Sequence, residues 1–161
     1  MVSTGPSTCF ELTFRPDFEL VTGVRDFVEA LYRRVLDDED LGGRLAIATH
    51  ELLENAVKYS LDGETCLRIE VVPTLGARAI AVRTRNRARD QHVTTLRVYL
   101  DEMRASSDPS AYYLQRMRRA ARRTDTSQLG LARVHCEADM QLSCTVEGDT
   151  VTINAETVLT R

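Results

Sequence analysis

The pair of side chains best suited to chemistry in this sequence is a carboxylate and an amide four residues apart, Glu51 and Asn55. Apolar residues at three- and four-residue spacing predict a helix over about 41–59, and residues four apart share one face of a helix. The pair borders the apolar stripe. A carboxylate there can polarise a hydroxyl or a water, and an amide oxygen is a hard ligand for Mg²⁺. The alternative is that both side chains merely flank a packed core.

Two other segments carry residue types that bear on anion binding. Residues 127–132 read Ser-Gln-Leu-Gly-Leu-Ala, and backbone N–H groups at a glycine-containing helix start can hold phosphate. Residues 83–90 contain four arginines and no glycine, and residues 85–90 are predicted to form a polar loop. The segment His50-Glu51-x-x-Glu54 lacks the second histidine of a zinc-protease helix, so zinc hydrolysis is not supported.

The helix segment Glu51-x-x-x-Asn55-Ala-x-x-Tyr59-Ser60 resembles the N box of the GHKL ATPases, a family that includes gyrase and the histidine kinases. The subgroup it resembles most is the standalone anti-sigma factor serine kinases and their partner-switching relatives. The resemblance implies that Glu51 is a general base and that Asn55 holds Mg²⁺. It also implies that Lys58, Tyr59 or Ser60 lies near the phosphates.

The glycine boxes of that family are only partly present. Residues 127–132 are similar to the second box, Gly-x-Gly-Leu, of which Gly130 remains while Gln128 stands in the place of the other glycine. The first box, Asp-x-Gly-x-Gly, should follow a strand predicted at 78–84. The sequence departs from it by having no glycine and no aspartate at the strand end, which leaves Asn86 as the candidate adenine contact.

The resemblance implies an α+β fold, the Bergerat α/β sandwich, with a mixed, mostly antiparallel sheet and helices on one face. Helical and alternating patterns give the element order that this fold needs. The predicted elements are a strand from Phe10, helices at 24–36 and 41–59, a hairpin at 66–84, helices at 93–104, 109–123 and 129–137, and a hairpin at 141–155. Residues 10–161 are expected to form a single domain after a flexible N-terminus at 1–9.

Two functions are left open by the sequence. One is a bacterial regulator in a partner-switching system, acting as an ATP- and Mg²⁺-dependent serine/threonine protein kinase or an anti-sigma-type factor. Its partner would be an anti-anti-sigma-like or sigma-like protein, and a homodimer is also left open. The other is a pseudo-ATPase that keeps the fold as a protein-interaction module. The degenerate first glycine box favours the second, and the intact Glu51 and Asn55 pair favours the first.

Charge and composition restrict the cellular location and the kinds of partner that we expect for the protein. The 161 residues carry a net charge of −3, no apolar run is long enough to span a membrane, and four cysteines show no metal-ligand spacing. We therefore expect a cytoplasmic protein without membrane or nucleic-acid partners. Residues 78–123 hold 12 basic and 4 acidic side chains. We expect the basic block at 83–123 to form the lid side of the cleft and a docking surface for an acidic partner or for phosphate. The alternative is a set of solvated helix faces.

Overall fold

The computed structural model describes residues 6–122 and 129–160 of the chain. These residues form five helices and five strands. In chain order they are β1 (Thr8–Phe14), α1 (Phe18–Leu36), α2 (Glu39–Tyr59), β2 (Thr65–Thr74), β3 (Ala77–Arg87), α3 (Asp90–Ala105), α4 (Pro109–Ala120), α5 (Leu129–Glu137), β4 (Gln141–Glu147) and β5 (Thr150–Thr160). The first strand begins two residues before the expected domain boundary at Phe10, and Ser127 and Gln128 lie outside the described residues.

The five strands form one sheet in the order β1-β2-β3-β5-β4. Every strand pair in the described ranges is antiparallel, so the sheet contains no parallel pair there and is not mixed. The expected α+β sandwich is confirmed. None of the helices in the described part of the chain combines the length and the apolar character that crossing a bilayer requires.

Side-chain alternation gives the sheet one apolar face and one polar face. On β2, Leu67 and Ile69 are buried and point into the helical layer, whereas Arg68 and Glu70 between them point the other way. Arg68 donates to Glu11 on β1 at 2.9 Å and to Glu70 at 2.7 Å on that outer face. We call this helix-free, polar side the open face. The helices therefore cover one face only, as the sequence predicts.

The two long helices, α1 and α2, begin and end at residues whose polar groups satisfy the helix termini. Asp17 accepts from Leu20 N at 2.8 Å, and Asp38 accepts from Leu41 N at 2.9 Å. These caps start both helices earlier than the apolar pattern suggests. At the other end of α1, Arg78 of β3 donates to the carbonyls of residues 35 and 36 at 2.9 and 2.8 Å, which ties this helix end to the sheet.

The expected side-by-side packing of α1 on α2 is present. Tyr32 is completely buried between them, and its hydroxyl lies 3.0 Å from Thr49 Oγ1. Thr49 Oγ1 donates in turn to the Leu45 carbonyl at 2.8 Å. Burial raises the pKa of Tyr32, so the hydroxyl stays protonated at any physiological pH. The two helices thus share a buried polar contact inside an apolar core.

The polar loop expected at 85–90 is wrong, because β3 continues through this segment to Arg87. Its pairing with β5 runs on to Arg87 opposite Thr150. Arg87 is fixed there by ion pairs with Asp149 at 2.6 Å and Asp62 at 3.3 Å. After only two more residues α3 begins.

The basic block does not form one surface either. Alternation along β3 sends the exposed Arg83, Arg85 and Arg87 to the open face, and Asn86 is buried on the opposite side. The arginines of α3 and α4 lie in the helical layer. A run of charge that is continuous in sequence is therefore divided between the two faces of the protein.

We predict that Tyr32→Phe lowers the free energy of unfolding by about 1 kcal/mol, measured by urea denaturation. The change removes one buried hydroxyl, while Thr49 keeps its bond to the Leu45 carbonyl and is not left without a partner. Tyr113→Phe is the matched control, because that hydroxyl is only partly buried and makes a long, 3.4 Å bond to Glu137. Equal losses of unfolding free energy in the two variants would show that the buried hydrogen bond between Tyr32 and Thr49 stabilises the fold no more than the long bond of Tyr113 does.

Candidate functional site

The candidate site is centred on α2, where Glu51 and Asn55 lie on one flank of the helix as expected. The buried side of α2 includes Leu45, Leu52 and Ala56, and it holds the helix against the rest of the core. Glu51 and Asn55 are both half-buried. The helix therefore presents both side chains at the border between core and surface.

One oxygen of the Glu51 carboxylate is engaged by α5. Glu51 Oε1 accepts from Arg133 Nη1 at 3.2 Å. Arg133 Nε donates at the same time to Glu137 at 2.9 Å, one turn further along α5. The pKa of the Arg133 guanidinium lies above its usual value. The hydrogen bond with Glu137 is the largest cause, and the hydrogen bond with Glu51 adds to it. The guanidinium therefore bridges two carboxylates and fastens α2 to α5.

Gly130 allows this contact to form. A Cβ atom at residue 130 would collide with Glu51 Oε2 and would lie 3.3 Å from Glu51 Cδ. Only glycine leaves enough space for the carboxylate to approach the α5 backbone this closely. A negative charge near the N-terminal end of a helix is also favoured by the helix dipole. The glycine expected to admit a phosphate group thus admits a side chain of the protein itself.

Asn55, in contrast, makes no hydrogen bond with any other described side chain or backbone group apart from those of its own helix ladder. Its amide oxygen is of the type that Mg²⁺ accepts as a ligand. For ATP with Mg²⁺, the residues present therefore fit in part. Asn55 is available to a metal, whereas Glu51 Oε1 is engaged by Arg133 and β3 runs through the segment where the resemblance implies an adenine contact.

Lys58 and Tyr59 lie at the C-terminal end of α2, next to the start of α3. The Tyr59 ring stacks on His92, with ring centroids 3.4 Å apart and planes inclined by 14°. Lys58 Nζ lies 5.4 Å from the centroid of Tyr59. Burial, and secondly the positive charge of Lys58, lower the pKa of His92 below its usual value. The Tyr59 ring at the end of α2 therefore packs against a neutral His92 ring at the start of α3.

Asn86 is buried at the end of β3, where its Nδ2 donates to the Arg87 carbonyl at 3.1 Å. Sequence reasoning missed two neighbours on the same face of the sheet, Thr65 and Thr84. Both are fully buried, and their hydroxyls have no hydrogen-bond partner in the described structure. Unpaired buried hydroxyls carry a free-energy cost, so these two call for an explanation.

Comparisons with known proteins show a similar fold but do not assign the chain to a family. No protein-family model matches the chain, and no curated protein matches it in sequence. A chain in the crystal structure of the SiaB–SiaC complex from Pseudomonas aeruginosa has a similar structure, with a TM-score of 0.65 and 12% sequence identity. The match covers 94% of this chain and 89% of that one. At this identity it shows a shared fold over nearly the whole chain.

Arg133 is the important residue that sequence reasoning did not single out. It lies 82 residues from Glu51 in the chain, so no local pattern links the two. The only signal is the four-residue spacing of Arg133 and Glu137 on a short helix, which is common on solvated helix faces.

A double-mutant cycle with Glu51→Gln and Arg133→Gln should give a coupling energy no larger than about 1 kcal/mol in urea unfolding. The side chains keep 21% and 38% of their exposure, and solvent weakens an ion pair of this kind. In a Gly130→Ala background the coupling should fall, since the new Cβ collides with Glu51 Oε2 and the carboxylate must move.

The matched control is Gly43→Ala in α2, where an added Cβ would meet no atom within 4 Å. That background should preserve the coupling. Undiminished coupling in the Gly130→Ala background would contradict the steric role given to Gly130.

Proposed function

We propose that this protein is a regulatory domain of GHKL-like architecture that acts by binding a partner protein in a partner-switching signalling system, without transferring phosphate itself. The order of elements matches the one that the N-box resemblance implies. The similar fold found in the SiaB–SiaC structure supports the proposal, because that structure is a complex of two proteins. The observation that carries the non-catalytic part is the Glu51–Arg133 ion pair beside Gly130.

A general base must reach the hydroxyl that it deprotonates, and it must have a lone pair available. Glu51 has one carboxylate oxygen on the Arg133 guanidinium and the other against the α5 backbone. Releasing it would break the ion pair and part of the contact between α2 and α5. The carboxylate therefore serves to join two helices.

The region expected to enclose adenine supports the same conclusion. A glycine-rich loop lets the backbone approach a ligand closely, whereas β3 here remains fully paired with β5 as far as Arg87. The side chains of Arg83 and Arg85 project from the open face, away from the helical layer that holds Asn55. They are not positioned to contact a nucleotide bound beside α2.

The proposed partner is a regulatory protein of the anti-anti-sigma-like or sigma-like kind that the resemblance implies. In partner switching, different proteins compete for the same binding surface of one protein. Such exchange needs a stable fold with a defined surface and does not require catalysis by the domain. The ion-paired α2 and α5 provide a fixed frame for that surface.

A second candidate, an ATP- and Mg²⁺-dependent serine/threonine protein kinase, is favoured by two specific observations. Among the described residues, the Asn55 side chain has no hydrogen-bond partner, and the buried hydroxyls of Thr65 and Thr84 near Asn86 have none. A ligand that offered hydrogen-bonding groups at this end of the sheet would satisfy them. In that case Asn55 would be the residue that holds Mg²⁺.

Isothermal titration distinguishes the two candidates. We expect Mg-ATP and Mg-ADP to give no saturable heat with the wild-type protein, and Asn55→Ala to behave identically. The matched control is Asn154→Ala, which alters an asparagine on the open face that is bonded to Arg83. Saturable binding that is lost in Asn55→Ala and kept in Asn154→Ala would overturn the non-catalytic proposal in favour of the kinase.

A capture experiment tests the partner-binding part of the same proposal. Tagged wild type and Asn55→Ala, purified from the cells that produce the protein, should retain the same partner in equal, near-stoichiometric amounts. Depleting ATP from the lysate should leave that amount unchanged. Loss of the partner in either condition would contradict nucleotide-independent binding.

A further inference from the structure

A polar cavity lies on the open face of the sheet, at the end where β3 reaches Arg87. Its volume is about 540 Å³, within the range of cavities that hold small organic molecules. All five strands contribute residues to its lining. Because the helices cover the other face of the sheet, this cavity is separate from Glu51 and Asn55 on α2.

Two arginines line this cavity, and they differ in their partners. Arg87 is held by ion pairs with Asp149 at 2.6 Å and Asp62 at 3.3 Å. Arg85, two residues earlier on the same face of β3, makes no ion pair or side-chain hydrogen bond with any residue in the described ranges. A guanidinium offers parallel N–H donors that match the two oxygens of a carboxylate. Arg85 is therefore available to an anionic group of a ligand.

The register of the sheet places threonine hydroxyls beside Arg85. Thr152 of β5 lies directly opposite Arg85, and Thr145 of β4 lies directly opposite Thr152. Residues in such positions have Cβ atoms about 5 Å apart. Both threonines line the cavity, and neither hydroxyl has a hydrogen-bond partner in the described part of the chain. Both are therefore able to donate to an anionic group that is bound by Arg85.

Two carboxylates on the rim of the cavity determine which ligand charge fits. Glu64 and Glu147 both line it, and neither carries an ion pair or a side-chain hydrogen bond with a described residue. Together with Arg85 they form a set of one positive and two negative charges. The ion-paired Arg87 lies between two further carboxylates and leaves another negative charge. A simple anion would be repelled by the rim, and a simple diamine would leave Arg85 without a partner.

We propose that this cavity binds a free basic amino acid, such as L-arginine. Its α-carboxylate is held by Arg85 and the two threonine hydroxyls, and its two cationic groups face Glu64 and Glu147. Glu64 directly precedes β2 and Glu147 lies on β4, three strand spacings away, so their backbones are about 14 Å apart. That separation accommodates an extended basic amino acid between the two side chains. The ligand charge of +1 neutralises the unpaired set.

An NMR titration of the isotope-labelled wild-type protein at low salt tests the ligand class with three probes. L-arginine should give saturable shifts of the amides that line the cavity, with half-saturation at about 1 mM or below. Agmatine, which lacks the carboxylate, and N-acetyl-L-arginine, which lacks the α-ammonium group, should each bind at least about tenfold more weakly. Absence of saturation with L-arginine at about 10 mM, or equal affinity for either analogue, would overturn the proposal.

A pair of matched variants tests the role of Arg85. Arg85→Gln should weaken L-arginine binding by about tenfold or more without weakening agmatine binding, because it removes the partner of the carboxylate and a charge that repels cations. Arg83→Gln is the control, since Arg83 lies on the same strand and face and donates to Asn154 at 2.6 Å. It should change neither affinity by more than about twofold. Weaker binding of both ligands to Arg85→Gln, or an equal loss in Arg83→Gln, would overturn the assigned contact.

Discussion

Burial of the apolar side of α2 determines how the helical layer is assembled, and the ion pair between Glu51 and Arg133, formed beside a glycine, adds a directional contact to it. Helix α2 is the centre of this layer, in contact with α1, α5 and the inner strands of the sheet. Leu52 and its apolar neighbours provide the burial, and Glu51 provides the directional contact that fixes α5 beside α2. Gly130 leaves space for the carboxylate beside α5, because a Cβ at its position would collide with Glu51 Oε2 and the carboxylate would have to shift. A residue that resembles a catalytic base is therefore part of the scaffold.

The second constraint is the alternation of side chains along the sheet. It separates an apolar face covered by helices from an open face with charged side chains such as Arg68 and Glu70. Because β3 extends to Arg87, Arg83, Arg85 and Arg87 belong to the open face and not to a cleft under the helices. The same alternation leaves Phe10, Leu12 and Phe14 of the edge strand half-covered. The two faces and the open edge are thus three chemically different surfaces of the protein.

Local sequence patterns predict much of the fold but only part of the candidate site. The helical periodicity of α1 and α2 and the hairpins of the sheet were predicted from the sequence, as was the shared flank of Glu51 and Asn55. The extension of β3 was not, because it depends on pairing with β5, more than sixty residues later in the chain. The engagement of Glu51 by Arg133 and the stacking of Tyr59 on His92 likewise depend on tertiary contacts between distant helices. Residue type and spacing identify candidates, and packing decides whether they are free to react.

The central claim is that the Glu51 carboxylate joins α2 to α5 and is not available for catalysis. The most direct measurement is a crystal structure of the protein grown with Mg²⁺ and a non-hydrolysable ATP analogue. The account predicts that Glu51 stays on Arg133 beside Gly130 and that no nucleotide lies between α2 and α5. A nucleotide bound there with Mg²⁺ on Asn55, and with Glu51 released from Arg133, would contradict it.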